Sequence, residues 1–302
     1  MNENISKSET PQLSIIISSY NSQKTIEKCL DSLKSQETDK TFEVILVDSS
    51  KDGTSGLVEE KFSQVRLLRF SQRKFPGGAR NFGICMAKGK IIAFMDADCT
   101  AEKNWVNEIL KAHQSPSLAI GGAIANGNPS NYVGWAAYFC EFSQWMPGQQ
   151  SRWMKDIAAA NMSYKREVFE KYGMFIEGTY CSDTEFHWRL GQSGYQLRFV
   201  PSIRVSHHNI ERFRKILRHE YSHGQDFARV RIKSQSFSRM KKGLYAFLSV
   251  LIPAKLIAER GLSNFKNRIY LVAFLKTFPL LILSIIAWSL GECAGYIGGA
   301  KK

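Results

Sequence analysis

The chain predicts an α/β protein with a mostly parallel central sheet, followed by apolar C-terminal helices. Two observations carry this. Short apolar runs alternate with stretches of helical period through the first hundred residues, and the most apolar parts of the chain come last. Runs buried on both faces are what the middle strands of a parallel sheet require. "LSIIIS" (13–18), "FEVILVD" (42–48), "VRLLRF" (65–70) and "KIIAFMD" (90–96) read as four strands. Between the first two, Ile26, Cys29, Leu30 and Leu33 repeat at helical spacing. "SSKDGTSGLVEEKF" opens with turn residues and continues as a short helix. "GGARNFGICMAKG" predicts a helix whose inner face carries Ala79, Phe82, Gly83, Met86 and Ala87. Strands joined through helices imply right-handed crossovers.

After Pro116 the pattern changes. "LAIGGAIA" is a further strand, and 131–154 is aromatic-rich, with three of the six tryptophans. These aromatics fit core or acceptor-domain packing better than a sugar platform. A helical "KREVFEKYG", an acidic "CSDTEFHWRLGQSG" and a strand pair in "QLRFVPSIRVSHH" follow. The domain reading is a disordered tail 1–11, an α/β domain 12–208, a basic helical segment 209–242 and membrane-associated helices 243–302.

With 302 residues, 44% of them hydrophobic, the chain can bury a sizeable core. The opening dozen residues are polar and lack a secretory pattern, which predicts a catalytic part on the cytoplasmic face of the plasma membrane. Cys29, Cys85, Cys99, Cys140, Cys181 and Cys293 form no Cys-x-x-Cys pair, against a zinc site of that kind or a disulfide framework. The net charge of +14 is uneven: 204–242 alone carries an excess of eight positive charges. Nucleic acid, an anionic membrane and a phosphorylated substrate are all attracted by such a segment. The adjoining apolar stretches 243–258 and 269–300 favour the membrane over nucleic acid. The second could span a bilayer, but the basic residues Arg260, Lys266 and Arg268 between the two make a hairpin awkward and favour interfacial helices.

The strand ends carry the chemistry. The first ends in "SSYN" (18–21), the second in "VDSSKDGT" (47–54), the fourth in "MDADC" (95–99). In an open α/β sheet ligands bind at the carboxyl ends of the strands. No glycine-rich phosphate loop follows any strand, so Asp96 and Asp98 are the candidates for holding phosphate through a divalent cation, Mn²⁺ or Mg²⁺.

These stretches, together with "NMSYKREVFEKYGMF" and "SDTEFHWRLGQSGYQLRFVPSIRVSHH", resemble the family-2 glycosyltransferases of the GT-A fold over about residues 12–208. The resemblance implies a nucleotide-sugar site lined by Ser19, Tyr20, Asn21, Asp48, Arg80, Asn81 and Asp96. It implies a metal held by Asp96, Asp98 and His207, and Asp183 as catalytic base. The family's Glu-Asp pair reads Ser182-Asp183 here, and the processive Gln-x-x-Arg-Trp signature is absent. The implied activity is inverting sugar transfer from a nucleotide-diphosphate sugar to a carbohydrate or lipid-linked acceptor, in cell-surface polysaccharide or glycolipid synthesis. Two alternatives stay open on the residues alone. Asp183 could cap its helix, with Glu185 the next residue to consider as base. The missing Glu would suit a catalytically degenerate binding or scaffold protein.

Overall fold

The computed structural model describes residues 10–298, so most of the expected tail lies outside the described residues. In chain order the elements begin β1 (Leu13–Ser19), α1 (Ile26–Lys34), β2 (Phe42–Asp48), α2 (Thr54–Lys61), β3 (Arg66–Arg69), α3 (Pro76–Met86) and β4 (Ile91–Asp96). They continue as β5 (Cys99–Ala101), α4 (Trp105–Ala112), β6 (Ala119–Asn126), α5 (Tyr132–Phe142), β7 (Arg152–Met154), β8 (Asn161–Lys165), α6 (Glu167–Tyr172), α7 (Ser182–Gln192) and β9 (Leu197–His207). The last four helices are α8 (Phe213–Ser234), α9 (Arg239–Leu248), α10 (Ile252–Asn267) and α11 (Leu271–Gly298). Two compact units emerge. The first takes the described chain up to Gly127, Gln149–Gly178 and Ser182–His207; the second takes Asn128–Gly148, Thr179–Cys181 and the described residues from His208 on. Residues 128–148 and 179–181, which a continuous 12–208 domain would include, thus cluster with the helices.

The first unit is built on one sheet with strand order β3-β2-β1-β4-β8-β6-β9-β5, β7 pairing with β9. β1 runs parallel to both β2 and β4, with Ser19 opposite Asp48 and Ser18 opposite Asp96. The chain builds outward from β1 on one side, then returns to its other side with β4. That reversal opens a crevice at the carboxyl ends of β1, β2 and β4. Beyond β4 the sheet becomes mixed: β8 is antiparallel to β4 and β6, while β6 and β9 are parallel. Asn161 anchors this half. Its carboxamide accepts from the Trp105 indole at 2.9 Å and donates to the carbonyls of Ala123 and Ile203 at 2.9 and 3.0 Å.

Two sequence readings are corrected here. "QLRFVPSIRVSHH" is one strand, β9, not a pair; its register against β6 slips between Gly122 and Ala123. Pro201 falls in the slip, where its missing N–H breaks no ladder bond. The inner face of α3 carries Ala79, Arg80, Gly83 and Ile84, whereas Phe82 faces out against Phe70 at 4.5 Å. A Cβ on Gly83 would meet Ile16 Cγ2 at 2.4 Å, so the helix lies close enough to the sheet for an arginine to reach under it. The core beneath is aromatic, with Phe94 edge-on to Tyr164, Phe169 and Phe175.

In the second unit α8 and α11 pack backbone to backbone. Added Cβ atoms on Gly224 and Gly291 would meet the carbonyls of Trp288 and Tyr221 at 2.2 and 2.0 Å. Glu292 is buried on α11 and accepts from Tyr296 Oη at 2.8 Å and from the Trp288 indole at 3.2 Å. The aromatic stretch of α5 packs Trp135, Tyr138 and Phe139 against Tyr270 and Phe274.

Candidate active site

The crevice at the strand ends collects most of the residues expected from the sequence. Asp96 closes β4, and Arg80 reaches it from α3, Nη2 donating to Oδ1 at 3.3 Å. Arg80 is buried, and its Nη1 has no partner. A buried guanidinium nitrogen without an acceptor is costly, and a ligand oxygen would relieve it. Burial raises the Asp96 carboxyl above its ordinary range; Arg80 and His207 oppose this and Asp98 adds to it.

Asp98 and His207, 109 positions apart, meet because β5 pairs antiparallel with β9 and sets Cys99 directly opposite His207. Asp98 Oδ1 lies 3.3 Å from His207 Nε2, and with the Cys99 thiol these ligand atoms all fall within 4.8 Å of one another. Asp96, expected in the same ligand set, stands with Arg80 instead. Burial and the two aspartates push the Cys99 thiol well up, so it stays protonated. The carboxylate–imidazole pair could hold a divalent cation.

On the β1–β2 side the chain makes a tight double loop. Asn21 adopts a left-handed φ of 55°, which asparagine tolerates. Its N–H donates to Ser50 Oγ at 2.6 Å and its side-chain oxygen accepts from Lys51 N at 3.0 Å. Tyr20 is exposed, with the Arg73 guanidinium 4.3 Å over its ring. Asp48 is buried and accepts from the hydroxyls of Ser50 and Ser55 at 2.5 Å each. It therefore holds its own loop in shape. The buried Ser19 hydroxyl has no partner. Asn81, expected at the donor, is taken up structurally: its carboxamide bonds both N–H and carbonyl of Phe175 and also reaches Glu177.

Asp183 is the second residue of α7, inside the first turn. It is an acidic residue near the helix N-terminus, two places beyond the cap position that the alternative reading required. Burial raises its carboxyl; Arg80 and His187 oppose the rise and Asp156 adds to it. Arg80 thus lies within electrostatic reach of both Asp96 and Asp183. Ser182, where the family has Glu, is fully buried against Gly77, whose added Cβ would lie 2.7 Å from Ser182 Cβ. Glu185 is buried and paired with Arg189 at 3.0 Å, so it is held as a structural ion pair.

Sequence reasoning missed a hydrogen-bonded chain beside Asp183. Asp156 contacts His187 Nδ1, and His187 Nε2 meets Tyr164 Oη at 2.6 Å; the His and Tyr are both buried. The available signal was helical spacing, since His187 stands four residues after Asp183 on the same face. Asp156 offered none.

Residues 14–173 match the family model described as Glycosyl transferase family 2. Glycosyltransferase AglE of Haloferax volcanii is 27% identical over 227 residues, covering 72% of this chain and 73% of its own length. Succinoglycan biosynthesis protein ExoO of Rhizobium meliloti is 35% identical over 105 residues, 34% of this chain but only 30% of ExoO. Among solved structures, mannosyltransferase PcManGT from Pyrobaculum calidifontis, in complex with GDP-Man and Mn²⁺, superposes with a TM-score of 0.63 at 19% identity. That match covers 94% of this chain and 88% of the other. TarS of Staphylococcus aureus in complex with UDP-GlcNAc gives 0.55 at 16% identity, covering 96% and 93%. At these identities the likeness shows the fold, the mixed α/β GT-A arrangement.

Proposed function

The chain belongs to glycosyltransferase family 2, and from that premise we propose that it moves a sugar, with inversion, from a nucleoside-diphosphate sugar to an acceptor hydroxyl. The observation that carries this reading is one crevice holding the Asp98–His207 pair, the Asp96–Arg80 pair and the half-buried Asp183. Asp98 and His207 would hold the divalent cation, which when bound acts as a Lewis acid toward the diphosphate. Arg80 Nη1 is the free donor for a phosphate or sugar oxygen. Tyr20 offers a ring face for the base, and the Asp48 loop shapes the ribose side.

Asp183 takes the proton of the acceptor hydroxyl. The acceptor oxygen forms its bond to the anomeric carbon as the bond from that carbon to the diphosphate oxygen breaks. The electron pair leaves with the nucleoside diphosphate. Attack opposite the leaving group inverts the centre. A carboxylate raised by burial is a stronger base than an exposed one, which suits this role. AglE and ExoO, by name a glycosyltransferase and a succinoglycan biosynthesis protein, support glycan synthesis as the setting.

The second unit supports action at a membrane surface. Among the described residues α11 alone is long and apolar enough to cross a bilayer. The charged α8 packs along it, which favours lying in the interface over spanning. The test is a panel of UDP- and GDP-sugars with Mn²⁺ and the full-length protein. One donor should raise the melting temperature and release its nucleoside diphosphate. A panel with no stabilising donor and no release would overturn the proposal.

A further inference from the structure

A second group of metal-ligating side chains lies wholly within the helical unit. Glu141 on α5 and His219 and Glu220 on α8 bring one ligand atom each within 4.8 Å of the others. His219 Nε2 is 3.5 Å from Glu141 Oε1. Two ligands about 2.1 Å from a tetrahedral ion stand ~3.4 Å apart, so this pair already has the spacing of a chelate.

An independent observation marks the place as incomplete. Glu220 is 1% exposed, and its Oε1 has no hydrogen-bond partner. Buried carboxylate oxygens are normally paired. The nearby cation, Arg260, donates Nε and Nη2 to the Cys140 carbonyl at 3.3 and 3.1 Å, and its buried Nη1 likewise has no hydrogen-bond partner. The Cys140 thiol adjoins Glu220, and the His223 ring lies 5.6 Å from that of His219. Glu141 and His219 are partly exposed, so an ion could enter from their side and keep water as a further ligand.

We propose that Glu141, His219 and Glu220 form a second divalent-cation site, of the zinc type, that ties α5 to α8. One imidazole and two carboxylates suit a borderline ion such as Zn²⁺. The ion would supply the missing partner of Glu220 and hold two like-charged carboxylates together.

The experiment uses the full chain carrying Asp98→Asn, so that the strand-end crevice is disabled and the result does not depend on the proposed transfer reaction. After chelator treatment, Zn²⁺ is titrated against a chromophoric competitor, and Co²⁺ absorption reports the ligand geometry. About one Zn²⁺ per chain should bind. Adding Glu220→Gln or His219→Gln should weaken binding about tenfold or more, with circular dichroism confirming a folded chain. Glu141→Gln, at a partly exposed position, serves if the buried variants do not fold. Absence of Zn²⁺ binding in the Asp98→Asn chain, or unchanged affinity in the folded ligand variants, would overturn the site. So would a Glu220→Gln chain that melts higher without metal while binding Zn²⁺ as its parent does, because the pair would then simply share a proton.

Discussion

Asp183 combines partial burial with a position in the first turn of α7, and these make opposite demands on stability and on rate. Its carboxyl is raised by burial and by Asp156. A group raised in the folded state contributes stability below its ordinary range, and that contribution is lost as pH climbs through the raised value. Asp183→Asn removes the ionised form, so the variant should gain on the parent in melting temperature as pH rises from 4 toward neutrality. The same substitution should reduce turnover by about 10²–10⁴ while leaving donor affinity nearly intact. The acid limb of the parent's turnover profile should lie above the ordinary carboxylate range. A rate within a few-fold of the parent would sink the base assignment. Asp98→Asn belongs to the other half of the crevice and should lose Mn²⁺-dependent donor binding and turnover together. His207→Gln should weaken Mn²⁺-dependent donor binding about tenfold, measured calorimetrically with and without EDTA. Metal-insensitive donor binding in parent and variants alike would remove the cation from the reading.

At the scale of elements, the α8–α11 contact is set by glycine. A Cβ at Gly291 would meet the Tyr221 carbonyl at 2.0 Å, and backbone cannot give way as a flexible side chain does. Gly291→Val should cost about 1–3 kcal/mol or more in urea unfolding. Gly261 on α10 has nothing within 4 Å of an added Cβ. Gly261→Ala should therefore gain about 0.5–1 kcal/mol, the ordinary helix-propensity difference. Equal responses at the two positions would mean that close helix packing has no part in the effect.

For the whole molecule, the decisive feature is apolar surface beside basic charge. No residue of α9 is buried, and Phe247, Val250, Leu251 and Leu262 are largely exposed, with Arg239, Lys241 and Lys242 close by in sequence. Cutting after Lys242 would remove α11 from α8 and bare the Gly224–Ala228 face, so substitution is the cleaner probe. Phe247→Glu with Leu251→Glu should lower binding to anionic vesicles about tenfold or more, because each side chain inserted into lipid is worth about 1.5–3 kcal/mol. Flotation assays with and without salt check this. A parent chain that stays with the buffer at low salt would count against membrane association, and a competing RNA titration would show whether the charge serves nucleic acid.

Local pattern alone determined the strands β1, β2 and β4 and the polar residues that end them, because fully buried strands demand unbroken apolar runs and strand ends are released from that demand. It did not determine which way α3 turns. Arg80 and Phe82 exchange their expected places, since a guanidinium that finds Asp96 can be buried while a phenyl ring can rest on the surface against Phe70. Nor could it reveal Asp156 beside His187, or the β5–β9 register that sets His207 opposite Cys99 and brings it to Asp98. Those meetings join positions tens of residues apart, and spacing along a chain carries no information about them. Only strand pairing and the close approach of helices to the sheet bring such groups within ångströms, and with them the shared electrostatics that make separate side chains one site.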